Sequence, residues 1–252
     1  MTRRWPLGLL MVSFAIGFAV PFTAAHFLGP IRIPLAAPAS SPGAPLAVLG
    51  GPPPAATRPP VLPTEGSGRY VPARGSTARV GWRGQLVRYQ AVVEDGGGVD
   101  PDAFAAAVDA TLADPRGWTA GGAWLFQRVP AGAPADLVIH LTTPGTTEVR
   151  CAQVGVRTGG EISCRGGSDV FINLKRWQLA VPWYQGDVAG YRRMVVNHEV
   201  GHFLGHGHVL CPAPGSPAPV MQTQSIALDG CRPNPWPYPD GRTFLTGPLA
   251  PP

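Results

Sequence analysis

The strand pattern is clearest between Gln85 and Val93, where Leu86, Val87, Tyr89, Ala91, Val92 and Val93 form a largely β-branched, apolar run. Glu94-Asp95-Gly96-Gly97-Gly98 ends it. Asp100-Pro101 then opens a helix, with Asp100 as cap and Pro101 at the first position. Phe104, Val108 and Leu112 share one face of that helix, and Asp114-Pro115 stops it. Trp124 to Val129, Asp136 to Leu141 and Asp169 to Leu174 read as further strands. Val149 to Cys164 has no clear period and is expected to form a hairpin. A last helix is expected from Asp187, a good cap, to about Leu204. Tyr191, Met194, Val195, Val196, Val200 and Phe203 make it apolar nearly all round, the mark of a buried helix. Gly201 inside it costs about 1 kcal/mol relative to alanine, so close packing is expected there. Prolines and glycines dominate beyond His208, which predicts loops and turns.

The ends of the chain differ from this middle. Residues 1–28 carry Arg3 and Arg4 followed by an apolar stretch from Leu7 to Leu28, long enough to span a bilayer. The span length favours an uncleaved anchor over a cleaved signal with a site after Ala25 or Ala39. The arginines would keep the N-terminus in the cytoplasm and place the rest outside. Residues 29–67 are a Pro/Ala-rich linker, with eleven prolines between 29 and 65, which cannot bury a core. The folded domain is expected at 68–246, with a disordered tail at 247–252. The net charge of +5 does not point to nucleic acid. Residues 68–246 hold 16 Lys+Arg against 14 Asp+Glu, and no basic run appears.

Candidate chemistry sits at the end of the last helix. Four of the six histidines fall in His198-Glu199-Val200-Gly201-His202-Phe203-Leu204-Gly205-His206-Gly207-His208, the pattern H-E-x-x-H-x-x-G-x-x-H. His198 and His202, four apart, share a helix face and can bind one ion. Zinc takes such nitrogens at about 2.0–2.1 Å. His206 continues the helical spacing, but eight residues of helix rise about 12 Å, too far for one ion. Gly205 is the residue type at which helices end in a left-handed turn, and such a turn can return His208 to the metal. The expected ligands are therefore His198, His202 and His208, with a fourth position open. A structural site has no need of Glu199; a catalytic one needs a base beside metal-activated water. A buried helix with merely hydrogen-bonded histidines is the plainer alternative.

The cysteines Cys151, Cys164, Cys211 and Cys231 are even in number and lack a C-x-x-C pair. An exported domain would oxidise them to two disulfides. Three pairings exist, and proximity favours Cys151–Cys164 and Cys211–Cys231. A second zinc held by the cysteines is the alternative, although metal-site spacing is absent.

The full histidine pattern resembles the metzincin clan of zinc peptidases. A clan with a later glutamate ligand is excluded, because no glutamate follows Glu199. A later aspartate, Asp229 or Asp240, is not needed once His208 supplies a ligand. The resemblance implies a methionine turn beneath the metal. Pro219-Val220-Met221-Gln222 supplies the only methionine downstream of the motif. It also implies an α+β fold: a twisted, mostly parallel but mixed sheet on a backing helix and a zinc-binding helix, with a loop-rich C-terminal part. Substrate would lie along the sheet edge, which we place at 162–174. Several metzincins carry a tyrosine two residues after the turn methionine, where this chain has Thr223. An oxyanion donor would then have to be zinc itself, Tyr238 or Asn234. From about Arg69 to Tyr238 the chain is further similar to a family of exported proteins of high-GC Gram-positive bacteria taken to be zinc peptidases. That similarity rests on residues 112–118, 191–209, 218–222 and 231–236. It implies the same anchor-plus-domain layout and no substrate.

The expected function is an extracytoplasmic, Zn²⁺-dependent endopeptidase with Glu199 as general base. It would act as a monomer on protein or peptide substrates, tethered to the membrane through its N-terminal segment. The alternatives are a zinc-containing binding module with little or no catalysis and a metal-dependent cell-wall amidase.

Overall fold

The computed structural model describes residues 62–251. The expected membrane segment and nearly all of the linker lie outside these residues. No helix among the described residues is long and apolar enough to cross a membrane.

The domain is α+β. Its strands are β1 (Tyr70–Pro72), β2 (Gln85–Glu94), β3 (Trp124–Arg128), β4 (Leu137–Thr142), β5 (Cys164–Gly166) and β6 (Asp169–Asn173). Its helices are α1 (Pro101–Ala113), α2 (Pro144–Ala152), α3 (Leu174–Leu179) and α4 (Val188–Phe203). The sheet is mixed, in the order β1-β2-β4-β6-β5, with β3 also paired to β2. The β2–β3, β2–β4 and β4–β6 pairs are parallel, whereas the outer strands β1 and β5 run antiparallel to their neighbours. Within the expected edge at 162–174, β5 lies at the edge of the sheet and β6 is an inner strand.

Local chemistry accounts for the elements. Asp100 caps α1 by accepting from the Asp102 amide at 2.8 Å, and Pro101 occupies the first turn. Phe104, Val108 and Leu112 are 0–1 % exposed, and each such burial is worth about 1.5–3 kcal/mol. They meet Val195, Val196 and Val200 of α4 and Val87, Ile139 and Ile172 of the sheet in one core. Alternate sheet residues face the other way. There Phe171 packs with Cys151 of α2 and Cys164 of β5.

Three expectations need correction. Residues 149–164 are not a hairpin: α2 fills the first part and β5 ends it. Thr143 and Pro144 are an N-cap and a first-turn proline, and Thr143 accepts from the Thr146 amide. The fold starts before Gly68, because the Gly145 amide at the head of α2 donates to the Thr64 carbonyl at 2.8 Å. Residues 248–250, expected in a disordered tail, are tied to the loop after α4. The Leu210 amide donates to Pro248 at 2.8 Å, the Ala250 amide donates to His208 at 3.1 Å, and Val209 bridges Leu249. Both disulfides pair as proximity suggested, Cys151–Cys164 and Cys211–Cys231, which excludes a cysteine-held second zinc.

One buried acid ties the periphery together. Glu94, at the end of β2 and 2 % exposed, accepts from the Gly68 amide, the Thr143 amide and hydroxyl, and the Thr146 hydroxyl, at 2.6–2.9 Å. It thereby joins the chain before β1 to the N-terminus of α2. Burial pushes its pKa up, but these bonds outweigh it and the carboxyl titrates below its ordinary value.

Candidate metal centre

Helix α4 carries the centre. Asp187 caps it, accepting from the Gly190 amide at 2.8 Å. Its end has the double-bonded geometry of a Schellman turn: Gly205 donates to His202 at 3.2 Å and His206 donates to Gly201 at 2.9 Å. Gly205 has φ +94°, a conformation that suits glycine. The reversal brings His208 back to α4, as the helix-ending turn requires.

The nitrogens of His198, His202 and His208 form a cluster able to hold a metal ion. His202 Nε2 lies 3.2 Å from His198 Nε2 and 3.0 Å from His208 Nε2. A tetrahedral ion with nitrogen ligands at about 2.05 Å would space them by about 3.3 Å. Two rings are oriented by backbone. His198 Nδ1 donates to the Val220 carbonyl at 2.7 Å, and His202 Nδ1 donates to the His206 carbonyl at 2.9 Å. With Nδ1 protonated, the Nε2 lone pairs converge on one point, an arrangement that repels itself unless a cation fills it. Burial, with the neighbouring imidazoles, pushes His198 down to about 3, the Val220 bond working the other way. Burial likewise pushes His202 down to about 4. Both rings are therefore neutral at neutral pH, the form in which an imidazole can bind a metal ion.

Glu199 is 4 % exposed, and its Oε2 has no hydrogen-bond partner. Burial raises its pKa to about 8. A dication at the triad would pull it back down. Glu199 and the three histidines line a cavity of about 510 Å³ together with Met194, Ile162, Val156, Arg165, Thr223 and Ile226.

The remaining motif residues hold this arrangement from behind. Met221 lies in a turn closed by the Gln222 amide on Pro219 at 3.0 Å. Its sulfur occupies the space that a β-carbon on Gly201 would need, and Trp118 Cζ2 would be 2.7 Å from that carbon. Close packing at Gly201 is thus realised. Trp118 Nε1 donates to the Asn197 carbonyl at 2.9 Å, and its ring stacks on His206 at 4.6 Å. His206 is thereby turned away from the triad. The Cys211–Cys231 disulfide brackets the Met221 turn. Arg116 lies over the Trp236 ring at 4.3 Å, joining the 112–118 and 231–236 segments.

Two expected donors are elsewhere. Asn234 is buried, and its amide donates to the Ala218 and Trp236 carbonyls. Tyr238 packs against Gly121 and Phe244. Neither lines the cavity. Gln224 was not foreseen at all. Its side chain accepts from Tyr184 Oη and the Asn234 amide and donates to Pro219 and Asn234, knotting the loops under the triad. Its only signal was a polar residue in a loop, which does not predict burial.

No curated protein and no solved structure matches this chain. One family model does, over residues 59–239, which takes in the sheet, α4, the histidine triad and the Met221 turn. The chain belongs to that family, described as DUF3152, a protein family of unknown function.

Proposed function

We propose that the protein is a zinc-dependent peptidase working outside the cytoplasm, tethered by the apolar segment at 7–28. The observation that carries this reading is Glu199: a buried carboxylate with an unpartnered oxygen, beside three converging imidazole nitrogens, on the wall of a cavity. A structural zinc site closes with four protein ligands, and the described residues offer three. Zinc held there would polarise a substrate carbonyl and acidify water. His198, His202 and His208 fix its position, and the carbonyls of Val220 and His206 fix their rings. Glu199 takes the proton from the attacking water and passes it to the departing amine nitrogen. The turn that holds Met221 and the helix end at Gly205 support a metzincin-like reading. The two disulfides suit an oxidising compartment.

The test uses the full-length protein. Its metal content is measured, and it is then incubated with a mixed peptide library with and without chelator. One zinc per chain, with cleavage lost on chelation and in Glu199→Ala, is the expected result. Stoichiometric zinc with no cleavage of any peptide would overturn the peptidase reading in favour of a metal-containing binding module. Cleavage confined to cell-wall fragments would redirect it to an amidase.

A further inference from the structure

Strand β5 is three residues long and lies at the open edge of the sheet beside the cavity. Its middle residue is Arg165. In the β5–β6 ladder Arg165 pairs with Val170, and Cys164 pairs with Phe171. Paired residues share a sheet face. Arg165 therefore takes the face of Val170, the one that packs on α4, whereas Cys164 takes the face of α2. That register puts Arg165 on the wall of the cavity that holds His202 and Glu199.

The surroundings are suited to an anion. Arg165 is exposed, and among the described residues its side chain makes no hydrogen bond or ion pair. Arg74, Arg116, Arg128 and Arg176 by contrast each pair with a carboxylate of this chain. Among the described residues the only carboxylate on the cavity wall is Glu199, which is buried on α4. Val156, Ile162, Met194 and Ile226 make much of the remaining wall apolar. The strand is also held firmly, since the residue before Arg165 is the disulfide-bonded Cys164. A cation on a clamped strand recognises a ligand with less loss of freedom than one on a loose loop.

We infer that Arg165 is a specificity-determining residue that binds a carboxylate of the substrate next to an apolar side chain, close to the amide presented to the triad. The inference rests on the peptidase reading above for the word substrate, but the binding itself needs no turnover. A guanidinium fork pairs with a carboxylate through two parallel hydrogen bonds. That carboxylate is either an acidic side chain or the free C-terminus of a peptide.

The experiment separates these sources, and its binding measurements do not depend on activity. Full-length Glu199→Ala, with zinc present, is titrated with three peptides of one apolar sequence. The first carries an internal glutamate and an amidated end, the second a free C-terminal carboxylate, and the third neither. At least one carboxylate peptide should bind about ten- to a hundredfold more tightly than the neutral one, as charged hydrogen bonds imply. Whichever does so identifies the source. Arg165→Ala should bring that peptide down to the neutral one's affinity, Arg165→Lys should retain part of the gain, and Arg165→Glu should favour a lysine peptide instead. Equal affinities for all three peptides, no binding of any, or a preference that survives Arg165→Ala would overturn the assignment. So would an equal fall in kcat for neutral and acidic substrates in Arg165→Ala, which would place the residue on the reaction rather than on specificity. If the binding pattern holds while the wild type cleaves nothing, the peptidase reading fails and the carboxylate site stands.

Discussion

The Met221 sulfur fills the space beside Gly201 that any larger residue at that position would need. The contact locks the turn after the triad to the helix that carries it. Gly201→Ala gains about 1 kcal/mol of helix propensity. It also forces Met221 and Trp118 out of a closed space, and overpacking of this kind costs about 1–3 kcal/mol. The clash should prevail, lowering the melting temperature and weakening zinc retention against a graded chelator. Adding Met221→Ala to Gly201→Ala should restore part of the retention, because it removes one of the two colliding groups.

The two histidines after the turn should behave oppositely. His208→Ala removes one of the three proposed metal ligands, and metal analysis after dialysis should find little zinc. His206→Ala removes a ring that stacks on Trp118 and packs at a tilt against Phe244, and should keep close to one zinc per chain. Its loss should appear in stability, at about 1 kcal/mol for an aromatic stack. Zinc lost from His206→Ala and kept by His208→Ala would reverse the ligand assignment.

Glu94 gives the domain an acid limit. Its folded pKa lies below the ordinary 4.5, so the unfolded chain binds the proton more tightly. The stability it contributes is complete above about pH 4.5 and is lost as pH falls through the lower, folded value. Glu94→Gln should therefore cost about 2 kcal/mol at pH 7, as for a charged hydrogen-bond acceptor, and much less at pH 3. Melting curves of both proteins across that range measure it. Parallel curves at every pH would show that the charge contributes nothing.

Much of this was readable along the chain because it is local. The Asp100-Pro101 and Asp187 caps, the apolar faces of α1 and α4, and the reversal at Gly205 all depend on neighbours within a few residues. Gly205 alone separated His208 from His206. What was missed is non-local or too short to carry a period. Strands β1 and β5 have three residues each and exist only through their partners. Helix α2 offers threonines and a single valine where a stripe was sought, so its capping signal at Thr143-Pro144 went unread. Trp118 reaches Asn197 across 79 positions, and the Gln224 knot joins loops 40 and 10 residues away. Arg165 acquires its place only from the register of β5 on β6.

The ring protons held by Val220 and His206 also determine what leaves when the ion arrives. Metal uptake by histidines ordinarily displaces protons. Here the ligand rings are already neutral at pH 7, so they have none to give up. Burial raises Glu199 to about 8, which makes it the group beside the triad with a proton to lose. Loading at pH 7 should therefore expel a proton that belongs to the future base and not to a ligand. Calorimetric titrations in buffers of different ionisation enthalpy count it, and Glu199→Gln should lower the count by about one. On the proposed reading, the act of binding zinc would then be the act that arms Glu199.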